Sequence, residues 1–289
     1  MNFRQFVKNA MPARAFHLLR DLPSRGRGLF EQKPSGQGPI PPLGLMFDGP
    51  RSYDLFLSMG KETSEFYKTA VALKSTDSIL DIGCGIGRKT IPLLGYLSDQ
   101  ALYVGMDLDR RGIDWLLRNV TSQNQRFVFI HFDIFNKFYN PNGALDPSRL
   151  VLPFPDASFD VVALWSVFTH MYPNDMAHYL SEISRVLKPG GRLLASYYLY
   201  NEEVLSLMRS SKTKTNFPYE LENCRTTNPN MPEDALAVGD EWLLEVLKKL
   251  SLRPVSIFYG EWSGHTPYPG SKTINMQDIV IAEKSSTPL

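Results

Sequence analysis

The sequence predicts a doubly wound α/β fold, and three observations carry that expectation. Short, continuous apolar runs recur between Ser78 and Tyr198, as strands buried on both faces do. Amphipathic segments at helical spacing lie between them, the alternation expected of a parallel sheet covered by crossover helices. One apolar run ends in three closely spaced glycines, at the carboxyl edge where open α/β sheets take ligands. The 289 residues suffice for one large domain that buries roughly three quarters of its unfolded surface. A content of 43% hydrophobic and 21% charged residues excludes a disordered chain, and no apolar run approaches the ~20 residues that cross a bilayer.

Taken in order, Met1 to Leu19 sets Phe3, Phe6, Val7, Met11, Phe16 and Leu19 among basic residues, an amphipathic pattern broken at Pro12. We expect a helix that docks on the domain or frays, with peripheral membrane contact through residues 1–20 as the lesser alternative. Residues 22–44 read as a linker, because Pro34, Gly36, Gly38, Pro39, Pro41 and Pro42 stand too close together for helix or central strand. The chain thus divides into residues 1–44 and a domain over 45–289. Helical spacing from Ser64 to Leu73 precedes a strand over Ser78–Ile82. Strands follow at Leu102–Met106, Phe127–Phe132, Phe159–Trp165 and Arg192–Tyr198, separated by helices near Arg88–Leu97, Arg110–Val120 and Asn174–Leu187. Beyond a helix near Asn201–Ser211, a loop with Pro218, Pro229 and Pro232 leads to a helix over Asp240–Leu250. The last strands, Val255–Tyr259 and Asp278–Glu283, are joined by a loop alone and should pair antiparallel.

Charge and cysteine content narrow the function classes. Residues 1–33 hold seven Lys/Arg against two acids, which leaves 24 basic and 28 acidic residues in the remainder. A slightly acidic body argues against a broad phosphate-binding footprint, so no nucleic-acid partner is expected. Two cysteines and no secretory signal indicate a reducing, cytoplasmic setting. The histidines and cysteines show no metal-ligand spacing, so no metal is expected.

The most informative stretch is Ile79-Leu80-Asp81-Ile82-Gly83-Cys84-Gly85-Ile86-Gly87-Arg88. Glycines there permit positive φ and let backbone approach a ligand with no Cβ between them. Their G-x-G-x-G spacing differs from the G-x-G-x-x-G of dinucleotide-binding turns. Asp107 ends the next strand, where a carboxylate can accept from both hydroxyls of a ribose; the N-cap of the following helix falls equally to Asp107 or Asp109. Asp133 closes the third strand in the same register, so three strands end in carboxylates along one edge. Cys84 reads as a small buried filler.

These residues, with Leu152-Pro153-Phe154-Pro155-Asp156-Ala157-Ser158-Phe159-Asp160-Val161-Val162 and Arg185-Val186-Leu187-Lys188-Pro189-Gly190-Gly191-Arg192-Leu193-Leu194, make the chain resemble class I S-adenosylmethionine-dependent methyltransferases. The resemblance is strongest from Asp77 to Tyr198. It implies a seven-stranded, mostly parallel sheet with an antiparallel last strand, and S-adenosyl-L-methionine as cofactor with S-adenosyl-L-homocysteine as product. By position, Gly83, Gly85 and Gly87 would form the turn against the methionine part and Asp81 would anchor its ammonium. Asp107 and Leu108 would meet the ribose, Asp133 and Ile134 the adenine edge, and Trp165 and Ser166 the methyl-bearing side.

Transfer of a sulfonium methyl needs mainly an aligned acceptor, and a base where that acceptor is a hydroxyl. His170 and His265 are the base candidates, the first just past the fourth strand, the second in a loop leaving the same sheet edge. Acceptor recognition is expected from residues 135–155, 212–237 and 261–276, with Tyr139, Phe217, Tyr219, Trp262 and Tyr268 as wall aromatics, and a lid from Met46 to Tyr53. Base-modifying nucleic-acid enzymes of this fold carry Asn/Asp-Pro-Pro-aromatic after the fourth strand, where Trp165-Ser166-Val167-Phe168 stands here. A small-molecule acceptor is the resulting expectation. The alternatives are a nicotinamide-dependent oxidoreductase and a non-catalytic cofactor-binding scaffold.

Overall fold

The computed structural model describes residues 34, 38–46, 52–265 and 273–286. Expectations for the basic N-terminal segment, for Arg51 in the lid, and for Tyr268 lie outside the described residues. Strands β1 (Ile79–Ile82), β2 (Tyr103–Asp107), β3 (Phe127–His131), β4 (Phe159–Leu164), β5 (Leu187–Tyr197), β10 (Leu252–Phe258) and β11 (Asp278–Lys284) form one sheet in the order β10-β11-β5-β4-β1-β2-β3. The β1, β2, β3, β4 and β5 ladders are parallel, and β11 runs antiparallel to both β5 and β10, as a connection without a crossover helix requires.

Alternate residues of each strand feed opposite faces, and each face has its own helical cover. Leu80, Ile82, Val104 and Val162 pack with Leu180, Ile183 and Val186 of α3 (Pro173–Val186) and with Leu243 and Leu247 of α5 (Asp240–Lys249). Ile79, Tyr103, Val161 and Ala163 pack with Phe66 and Tyr67 of α1 (Tyr53–Thr69) and Ile113 and Leu116 of α2 (Arg110–Leu116). The N-cap of α2 falls to Asp109, whose carboxylate accepts from the Arg111 amide, although the geometry is long at 3.3 Å.

Three local expectations are corrected. Residues 38–46 are not a free linker: Ile40 is 0% and Leu43 4% exposed, packed against Tyr53, Phe56, Ile86 and Ile91. Burial of two such side chains is worth about 1.5–3 kcal/mol each, which binds the segment to the domain across the expected edge at residue 45. The helix expected over Arg88–Leu97 reduces to a 3-10 turn at Ile91–Leu93, because Pro92 has no N–H to give and fixes its own φ. The helix expected to Val120 gives way after Leu116 to a π turn over Leu117–Thr121.

The loop expected between Ser211 and Asp240 contains structure of its own. Strands β7 (Tyr219–Leu221), β8 (Cys224–Thr226) and β9 (Leu236–Gly239) join β6 (Leu199–Tyr200) in a second sheet of order β6-β9-β8-β7. It packs through Phe217 and Ala237 onto Trp262 and onto Val204 and Met208 of α4 (Glu202–Arg209). The small sheet stands beside the carboxyl edge of the large one.

Candidate functional site

At that edge opens a cavity of about 470 Å³, walled by the β1 turn, the ends of β2, β3 and β4, α1, and a 3-10 turn of the second sheet. Gly83, Gly85 and Gly87 take φ of +78°, +58° and +82°. Their surroundings differ. A Cβ at Gly83 would meet Val167 Cγ2 at 2.4 Å, and one at Gly87 would meet Leu116 Cδ2 at 2.6 Å, so these two glycines seat the turn on its neighbours. A Cβ at Gly85 meets nothing within 4 Å, because Gly85 faces the cavity. That open cradle, which any side chain would fill, fits backbone held close to a bound nucleoside.

The turn is braced from beneath. Asp107 accepts from the Gly85 amide at 2.7 Å and from the Asp109 amide at 2.8 Å, one oxygen each. Burial pushes its carboxyl up, against the pull of those two amides. Each oxygen keeps a further lone pair, and Asp107 stands on the cavity wall with Leu108. Lys89, 5% exposed, donates to the Gly83 carbonyl at 3.1 Å and also lines the cavity.

Asp81 is placed differently from the expectation. It is 0% exposed, accepts from Tyr103 Oη at 2.6 Å, lies 3.8 Å from Lys89 Nζ, and is absent from the wall. Position explains this: Asp81 shares the strand face of Ile79, which is covered by α1 and α2. Gly87 likewise stands behind the wall. Asp133 turns into its own loop, accepting from Asn140 Nδ2 at 2.9 Å, a bond that holds its carboxyl below the usual range, while Ile134 remains on the wall. Cys84 is buried, and burial beside Asp107 and Asp81 pushes its thiol well up, which removes any nucleophilic role.

Past β4, Trp165 donates to Tyr67 Oη at 2.9 Å, and Ser166 takes φ of +58°, its amide on Ser196 Oγ at 2.7 Å and its hydroxyl on Gln277 at 2.9 Å. Both line the cavity. His170 lies next along the wall. Its Nδ1 is 2.8 Å from the Glu233 carbonyl, which can only accept, so Nδ1 carries the proton and Nε2 faces the Tyr139 hydroxyl at 3.3 Å with its lone pair. His265 stands elsewhere, bonded to Ser263 at 2.7 Å and stacked on Tyr259, off the cavity wall. Phe217 and Trp262 are 0% exposed packing residues, whereas Tyr139 does reach the wall.

The sequence reading missed the α1 contribution of Phe56, Met59 and Thr63, and the acidic pair Asp175 and Glu233. Proximity to the glycine turn was a usable signal for Lys89. Glu233 had none, since only the pairing of the second sheet carries it to the cavity.

Comparison with known proteins agrees with this geometry. Residues 80–195 match the family model described as a methyltransferase domain. The tRNA N(3)-cytidine methyltransferase METTL2 of Gallus gallus is 32% identical over 142 residues, 48% of this chain and 35% of the relative. The 27-O-demethylrifamycin SV methyltransferase of Amycolatopsis mediterranei is 29% identical over 129 residues, 44% of this chain and 40% of the relative. The chain therefore spans less than half the length of these curated relatives. Among solved structures, the PH0226 protein from Pyrococcus horikoshii OT3 superposes with a TM-score of 0.51 at 17% identity, over 79% of this chain and 90% of that one. The [4+2]-cyclase SpnF does so with a TM-score of 0.51 at 16% identity, over 94% and 96%. Both show the fold.

The expectation of no nucleic-acid partner is corrected by the relatives, several of which are named for tRNA cytidine, while a small-molecule acceptor has the rifamycin enzyme among the relatives. Net charge summed over the whole body bears on binding of a phosphate backbone and says nothing of a pocket for a single base. The nicotinamide alternative also falls. The side-chain-free cradle at Gly85 and the carboxylate below it both fall within the segment, residues 80–195, that matches the methyltransferase-domain model.

Proposed function

We propose that this protein transfers the methyl group of S-adenosylmethionine to a heteroatom of a ring-bearing acceptor, with a nucleobase as the first acceptor to test. The observation that carries the reading is Gly85: a positive-φ residue braced by Asp107 and open to the cavity on its side-chain face. When bound, the cofactor supplies a methyl group already activated for in-line displacement. The chain's own work is then positional. Asp107 offers lone pairs to ribose hydroxyls, with Gly83, Leu108, Ile134, Trp165 and Ser166 around the nucleoside and Lys89 beside the turn. Orientation of an acceptor against that methyl contributes several kcal/mol, up to about 7–11 in favourable cases.

The acceptor half is walled by Phe135, Asn136, Tyr139, His170 and Tyr172, a mixture suited to a flat ring. The tRNA cytidine relatives support a base in that place. A hydroxyl-bearing ring is the second reading, supported by the place of His170 on the cavity wall with Nδ1 committed to the Glu233 carbonyl and Nε2 toward the Tyr139 hydroxyl, since a hydroxyl acceptor must lose its proton. Incubation with methyl-labelled cofactor and either total tRNA or a metabolite extract tests both. Label in acid-precipitable RNA supports the first reading and label in the soluble fraction the second. No transfer to either, with cofactor binding intact, leaves a cofactor-binding scaffold.

A further inference from the structure

Ser166 forms the corner that follows β4. Among the described residues, six that are not glycine take positive φ, and of these only Ser166, at +58°, lines the cavity. An L-residue is strained there by its Cβ, and such a conformation persists only where its surroundings impose it. Two neighbouring strands supply those surroundings. The Ser166 amide donates to Ser196 Oγ of β5 at 2.7 Å, and its hydroxyl donates to Gln277 Oε1 at 2.9 Å. Ser196 Oγ donates to the same Oε1 at 2.8 Å, so the bonds close a triangle and occupy both lone pairs of the Gln277 oxygen. Sheet geometry explains how Gln277 reaches a corner 111 residues away. In the antiparallel ladder of β11 with β5, Ile279 stands opposite Ser196, and Gln277, two residues earlier, falls on the same face. Its neighbour Asp278, 0% exposed, ties the start of β11 to Leu199 N, Gly260 N and Trp262 Nε1, so the oxygen is delivered from a fixed point.

What the triangle fixes lies on both sides of Ser166. Trp165 is bonded to Tyr67 of α1, and Val167 seats against Gly83, where an added Cβ would meet Val167 Cγ2 at 2.4 Å. Gly83, Trp165, Ser166 and Val167 all line the cavity. We infer that Gln277 is a positioning residue for the methyl-bearing end of the cofactor. It clamps Ser166 in the left-handed conformation, and through Ser166 it keeps Val167 on the glycine turn and Trp165 on α1. This rests on the methyl-transfer reading above and adds to it a residue outside the matched segment 80–195. Without the clamp Ser166 relaxes toward negative φ and draws Val167 off Gly83. The ribose end, at Asp107 of β2, lies across β1 from the corner and keeps its own bonds to Gly85 and Asp109. Loss of the clamp therefore acts on one end of the ligand and spares the other.

Two ligands read the two ends. S-adenosylhomocysteine carries the sulfur and the amino-acid part, adenosine carries neither, and both are titrated into the full chain by ligand-observed magnetic resonance. Gln277→Leu is expected to weaken S-adenosylhomocysteine at least fivefold and adenosine less than twofold. Gln277→Glu, whose carboxylate still accepts from both hydroxyls, should hold S-adenosylhomocysteine within threefold of the unsubstituted protein. Adding Ser166→Gly to Gln277→Leu should bring the affinity back to within threefold, because glycine takes φ of +58° without strain and needs no clamp. Ser196→Ala, which opens the triangle from β5, should show the same selective loss and the same recovery with glycine. Unchanged S-adenosylhomocysteine affinity in Gln277→Leu, an equal loss of both ligands, or no recovery with glycine overturns the inference. If Gln277→Leu does not fold, Ser196→Ala decides by the same three results. Binding of S-adenosylhomocysteine to the unsubstituted protein confines any such failure to the clamp, whereas its absence there removes the methyl-transfer reading as well.

Discussion

Gly85→Ala separates the cofactor cradle from the fold more cleanly than any other change at the turn. An L-residue at φ of +58° costs about 1–2 kcal/mol of backbone strain. No packing penalty adds to it, since a Cβ there meets no atom within 4 Å. For a chain of this size that strain lowers the melting temperature by roughly 2–4 °C for each kcal/mol. Gly83→Ala bears the same strain plus overlap with Val167 Cγ2 at 2.4 Å, and overpacking of that kind adds about 1–3 kcal/mol. The two variants should therefore diverge. Gly85→Ala should melt a few degrees below the unsubstituted protein yet lose S-adenosylmethionine affinity at least tenfold, about 1.4 kcal/mol, because its methyl occupies the space kept for the ligand. Gly83→Ala should lose more stability. Calorimetric titration beside thermal melting reads both quantities. Unchanged affinity in Gly85→Ala would falsify the cradle and leave all three glycines as turn-formers.

Three further outcomes are expected. Asp107→Ala should weaken cofactor binding at least tenfold in a domain that still folds, since it removes the acceptor of the Gly85 amide together with the lone pairs proposed for the ribose; equal calorimetric affinity would withdraw the assignment. His170→Ala should lower turnover more than tenfold with cofactor affinity changed less than threefold, and a variant with full kcat would make His170 a packing residue. Asp278 accepts from Leu199 N, Gly260 N and Trp262 Nε1, each at 2.7 Å, so Asp278→Ala strands three buried donors and should cost about 3–6 kcal/mol in urea unfolding. Burial raises that carboxyl to about 7. The folded chain therefore holds the proton more tightly than the unfolded one, and this contribution to stability is present below about pH 4 and lost as pH rises through 7. If substitution of Asp278 leaves the fall in stability between about pH 4 and 7 unaltered, the shift belongs to another group.

What the sequence makes legible is what local chemistry decides. The strand-to-helix turn at Gly83 to Gly87, the acid ending β2, and the Asp109 cap each depend on neighbours a few residues away. The antiparallel β11 followed from the length of one connection. What stayed hidden depends on distant pairing. Strands β7, β8 and β9 are three or four residues long, too short for a period, and exist only because β9 finds β6 and β8. Ile40 and Leu43 were masked by the prolines and glycines around them, although two buried side chains suffice to dock a segment. Asp81 shows the limit of strand position alone. Period-two alternation gives it the face of Ile79, under α1, where one carboxylate oxygen accepts from Tyr103 and the other is buried with no hydrogen-bond partner.

The two halves of the cavity therefore have different origins. The half around Gly85 and Asp107 is built by the large sheet from contiguous motifs. The half around His170 is completed by Glu233, which arrives 63 residues later in sequence on the second sheet and is fastened by one bond between its backbone and an imidazole. The glycine turn thus rests on rigid strand ends, and the wall beside His170 rests on an added element held to them by few contacts. The segment that matches the methyltransferase-domain model, residues 80–195, contains the cradle and stops short of Glu233.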